Sequence, residues 1–225
     1  DFNSFFVTNG GYVHSFAADI GVMGRSNTAV VSANSTWNLG GGNITVGSSG
    51  GGTDPYDNVL VIAGAGAVVT NVSGVRIGRR PAGGGTTAYS NMVIISSGGS
   101  LYSSGAGLIG DGQNQGTSYS NAMLVSGAQS VWNAGGATIT VGSGGQGPAS
   151  NNWLIVEEGG VVTNVGLMYV GKAGARDVIT NILLLTNGGT LFSTGDVFIG
   201  RGYVSGGTSN NAYNNLAYIV GGAYG

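Results

Sequence analysis

Short, almost wholly apolar runs recur along this chain, each opened by an asparagine: SFFV after Asn3, TAVV after Asn27, VLVI after Asn58 and MVII after Asn91. The series continues with AMLV after Asn121, WLIV after Asn152, ILLL after Asn181 and LAYI after Asn215. Their β-branched and large aliphatic content predicts strands. Turn signals follow at Gly10-Gly11, Gly98-Gly99, Gly159-Gly160 and Gly188-Gly189. A second extended piece then aligns Val13, Val68, Leu101, Val131, Val162 and Leu191 in one column, with His14, Trp37, Val69, Tyr102, Trp132, Thr163 and Phe192 beside them. The third piece alternates with period two, as in Ile44-Thr45-Val46, Val75-Arg76-Ile77, Ile139-Thr140-Val141 and Met168-Tyr169-Val170.

Each unit closes on a glycine: Gly24, Gly47, Gly78, Gly110, Gly142, Gly171 or Gly200. From Asn to Gly the complete units measure 22, 21, 21, 20, 22, 20 and 20 residues, while the joins between them run from 2 to 14. A constant unit with variable joins at one point predicts a solenoid with loops leaving a single corner. The expected fold is all-β, a single-stranded right-handed parallel β-helix. It has three short strands per coil of 20 to 22 residues, seven full coils and a partial one, all in one domain spanning 1–225. Right-handed winding is expected because each coil is a crossover between parallel strands. At about 4.8 Å per coil the stack is on the order of 35 Å long.

Stacking turns Asn27, Asn58, Asn91, Asn121, Asn152 and Asn181 into a ladder, in which each amide bonds to the next coil and fixes register. In the joins, Tyr56, Tyr89, Tyr119 and Tyr213 each stand two residues before an Asn. Coil stacking should set the first three in a row, either to pin the joins or to touch a glycan or partner chain. Arg25, Arg79, Lys172 and Arg201, with Asp111, occupy the position after the closing Gly.

Composition narrows the function. Only 7% of residues are charged and the net charge is -2, which excludes the basic stripe that nucleic acid requires. Glycine supplies 47 residues, yet 41% of the chain is hydrophobic and clustered in the units, so the chain is ordered. There is no cysteine, hence no disulfide and no thiolate chemistry. No apolar run is long enough for a membrane-spanning helix, and any export leader has been removed or lies outside this stretch.

The units LVSGAQSVWN...ITVG and LLLTNGGTLFSTGDVFIG resemble the repeats of bacterial surface and autotransporter-type passenger proteins across essentially the whole chain. That resemblance implies an exported, extracellular or cell-surface β-helix with a structural or adhesive role. The expected function is therefore a structural segment or subunit of a secreted fibre, sheath or stalk, with other copies or further repeats as partners and no cofactor. The alternative is an adhesin or glycan-binding passenger with polysaccharide as partner, and a polysaccharide-active enzyme comes third.

Candidate chemistry is sparse. Gly142, Gly144 and Gly147 spell G-x-G-x-x-G but lead into QGPASNN and a strand, with no helix to meet a phosphate. His14 has no partner at ligand spacing. Sequons occur at Asn34, Asn43 and Asn71. The close acid pairs, Asp54 with Asp57 and Glu157 with Glu158, border different corners; Asp54, Asp57, Arg79 and Arg80 read as surface ion pairs. Asp1-Phe2 runs straight into the first unit and Gly225 falls after half an eighth coil. The expectation is a cut from a longer repeat array or a subunit completed by its neighbour.

Overall fold

The computed structural model describes residues 2–49, 52–79, 86–113, 115–205 and 208–225, and Asp1 and Arg80 lie outside them. Among the described residues every regular element is a strand. They form a parallel β-solenoid. One sheet of eight strands collects the apolar runs after each Asn, from Ser4–Val7 to Leu216–Val220. A second sheet of eight runs from Tyr12–His14 to Ala223–Tyr224, and a third of seven from Ala18–Val22 to Val197–Arg201. The joins contribute a fourth parallel sheet of five short strands, Thr87–Tyr89 through Ala212–Tyr213. A small antiparallel hairpin pairs Tyr203–Ser205 with Thr208–Asn210.

Period-two alternation decides what goes inside. In the first sheet Leu60, Val93, Met123 and Leu154 share one inward column, and Ile62, Ile95, Val125 and Val156 the next; all are fully buried. Burying each such side chain contributes about 1.5–3 kcal/mol, so the core is built in equal increments along the axis. The third sheet aligns as the alternation predicts, with Val46, Ile77, Ile109, Val141 and Val170 inward.

The second sheet corrects the predicted columns. Val13, Trp37, Val69, Leu101, Trp132, Val162 and Leu191 are register partners, whereas Val68 and Val131 align with Ser100 and stay half-buried on the outside. Corner length is the cause. Four steps lead from Ser96 to Ser100 but five from Ser126 to Val131, although both pairs are in register. One extra residue exchanges the two faces of the strand that follows. Trp132 is thereby fully buried, its indole N–H donating to Ser103 Oγ at 3.1 Å.

The first unit is also shorter than its spacing suggests. Ile20 pairs with Val46, which puts Gly21 opposite Gly47 and leaves Gly24 in the join. Val22, not Arg25, then occupies the position after the closing glycine, opposite Ser48. Arg25 opens the tyrosine column by bridging to Tyr56.

Candidate functional site

The ladder begins with Asn3 and reaches Asn215 without a gap. Each Asn donates its side-chain amide and its backbone N–H to the Oδ1 of the next, with Nδ2···Oδ1 distances of 2.8–3.1 Å. Asn121 is typical. Its Oδ1 accepts from Asn91 N and Nδ2, and its own Nδ2 also donates to Ala88 O, Tyr119 O and Ser118 Oγ. Asn58, Asn91, Asn121, Asn152 and Asn181 are fully buried, and Asn27 is 8% exposed.

Two backbone features make room for this column. The closing glycine lies directly over an Asn amide: a Cβ on Gly110 would sit 2.1 Å from Asn152 Cγ, and φ there is +76°. Only glycine satisfies both conditions. From Asn27 onward the residue before each ladder Asn is left-handed as well, with Ser26, Asp57, Ser90, Ser120, Asn151, Thr180 and Asn214 all at φ 52° to 56°. The chain thus turns sharply into and out of each join.

The tyrosines divide into two groups. Tyr56, Tyr89 and Tyr119 stack with centroids 4.8 and 5.2 Å apart and planes within 9° of parallel. Arg25 lies over the Tyr56 ring at 5.9 Å and donates to its hydroxyl at 3.0 Å. Tyr213 stands apart, because Ser150 and Ile179 fill the column between it and Tyr119. In the stack, rings cover one another's faces and leave edges to solvent. Such a stack is suited to pinning the joins to one another.

The isolated candidates serve the scaffold. A Cβ on Gly142 would collide with the Asn181 amide, one on Gly144 with Arg176 O and one on Gly147 with Gly116 O, so these glycines permit close stacking of coils and joins. His14 is exposed and aligns with Asn38. Asp54 accepts the Thr87 N–H at 2.6 Å, and Glu158 accepts the Ser126 hydroxyl at 2.9 Å. Asn34 and Asn71 are exposed, Asn43 half-buried. Among the described residues no three His, Asp or Glu side chains come together in the way a metal ion requires.

Two clusters on the outside of the third sheet went unrecognised in the sequence. Tyr169 and Phe198 stack at 5.2 Å, Arg201 lies over both, Lys172 lies 4.7 Å from the Tyr169 centroid, and Arg201 Nη1 donates to Tyr169 Oη at 2.7 Å. The matching Tyr169-x-x-Lys172 and Phe198-x-x-Arg201 spacings carried that signal. The other cluster is Asp111, fully buried opposite Arg79, with neither carboxylate oxygen hydrogen-bonded. Burial pushes its carboxyl up to about 6, against the pull of the Arg79 and Arg76 charges. Burial likewise lowers Arg76.

Comparison with protein-family models, with curated proteins and with solved structures found no match to this chain.

Proposed function

We propose that the chain is a structural repeat segment or subunit of a secreted bacterial cell-surface fibre, sheath or stalk, of the passenger-type β-helix kind. The coils are taken to wind right-handed, with three strands each, seven complete and one partial. The observation that supports this reading is the unbroken amide ladder from Asn3 to Asn215. Side chains that an enzyme would aim at a substrate are here committed to register. Two carboxylates are likewise part of the scaffold, since Asp54 and Asp177 each brace a backbone N–H of the next join, at Thr87 and Asn211. Tyrosine rings that an adhesin would present are stacked on one another.

Immunogold electron microscopy on cells that express the native protein tests the role and the location together. Label along surface fibres or a sheath is expected. Label confined to the cell interior would overturn the reading, and a specific glycan-array signal lost in Tyr89→Ala and Tyr119→Ala would transfer it to the adhesin class.

A further inference from the structure

Among the three long sheets, the first is distinctive in what it turns outward. Its central outward column is Val30, Val61, Ile94, Leu124, Ile155 and Leu184, flanked at one end by Phe6 and at the other by Tyr218. The column two residues nearer the ladder adds Met92, Trp153 and Ile182. The central six are half-buried by their own neighbours, while Phe6 and Tyr218 are 62% and 53% exposed. No charged residue stands in either column, and the nearest carboxylate on the face is Glu157, one position further along the strand. On the second sheet the matching outward column mixes Asn38, Thr70, Asn133 and Thr163 with Tyr102, and on the third it mixes Thr45, Arg76 and Thr140 with Leu108 and Tyr169.

Such a face has two conceivable covers, the chain's own joins or a second chain. The described parts of the joins are committed elsewhere: their parallel strands pack on the third sheet, where Ala149, Ala173 and Val178 form a small separate core and Ser118 Oγ donates to Gly78 O.

We propose that this face is a self-association surface, on which a second copy of the chain packs sheet to sheet about a two-fold axis. Size supports a stable contact. The seven gaps between eight strands, at about 4.8 Å each, by five residues at about 3.3 Å present roughly 550 Å² per copy, so a pair buries about 1,100 Å². That clears the threshold of about 1,000 Å² for a specific interface. Shape and charge favour a copy over another kind of partner. The two columns carry aliphatic and aromatic side chains with no cation for an acidic partner, and strand spacing is the same in both copies. Two such arrays interdigitate at about 10 Å, as the inner faces of a sandwich do. An isologous pairing of this kind closes at two. It stands whether or not the fibre role does, because it concerns only the chain's own surface.

The test is sedimentation equilibrium on the 225-residue chain and on the double variant Leu124→Lys, Leu184→Lys. Both positions point outward and alternate along the column, so the monomer should keep its circular dichroism and melting curve. Leu124→Thr with Leu184→Thr is the milder pair should the lysines disturb the fold. A dimer is expected for the parent, weakened at least tenfold by the lysines and unchanged by Asn133→Lys with Thr163→Lys on the second sheet. A parent that stays monomeric at about 100 µM would overturn the proposal. So would association that the face variants leave untouched, which would run through strand edges, or binding to phosphatidylcholine vesicles by a chain that does not self-associate.

Discussion

A single asparagine in this chain satisfies groups on three levels of the stack. Asn121 accepts from Asn91, donates to Asn152 and reaches back to Ala88 O. Removing it as Asn121→Ala strands the Asn91 donors in a dry column and should cost about 1–3 kcal/mol in denaturant unfolding. Asn121→Asp should cost at least as much at pH 7, because a carboxylate would face Ala88 O and Tyr119 O, which require a donor. Protonation restores one donor, so the loss should shrink on acidification. Thr180 offers the opposite change. It is β-branched at φ 56°, where the equivalent positions of other coils carry Asn151 and Asn214. Thr180→Asn should therefore raise the melting temperature, with a gain of roughly 1 kcal/mol from relieved strain. The ladder was legible from sequence because polar residues in an apolar setting recur at one point. The left-handed residue before it was not, since Ser, Asp, Asn and Thr share no visible trait apart from their small or polar side chains.

At the level of the strand, a constant repeat concealed two shifts. Gly24 satisfies the apolar-then-glycine pattern as well as Gly21 does, and equal unit length favoured the wrong one; pairing of Ile20 with Val46 decides it. In the second sheet an extra corner residue reversed the faces, and volume shows the result. Gly107 stands in a column otherwise filled by residues such as Val75 and Ile139, because the Trp132 ring occupies its side-chain space: a Cβ there would meet the ring at 2.7 Å. Gly107→Val should destabilise by about 1–3 kcal/mol in the parent and far less in Trp132→Leu, a coupling that a double-mutant cycle measures. On the outer side of the third sheet, Asp111 makes stability depend on pH. Its folded pKa of about 6 exceeds the ordinary 3.8, so the folded chain binds the proton more tightly. Its contribution is most favourable below about pH 4, is lost as pH rises through about 6, and is flat above. Asp111→Asn should remove that slope, about 2–3 kcal/mol between the limits, when melting curves at pH 4, 5, 6 and 7 are compared.

Across the whole molecule, cohesion is divided among near-equal layers, each touching mainly the ones before and after it. The architecture was readable from the period alone, and the joins' packing on the third sheet was not, because their sequences share little beyond tyrosine and glycine. The ladder's amide bonds and those between strands all run along the stack axis, and successive ladder asparagines are 24, 31, 33, 30, 31, 29 and 34 residues apart. Tension between the two ends therefore loads the outermost layer first and peels it before the next one feels strain. A single molecule held in an optical trap should lengthen in a staircase, each tread freeing about 100 Å of contour, instead of rupturing once.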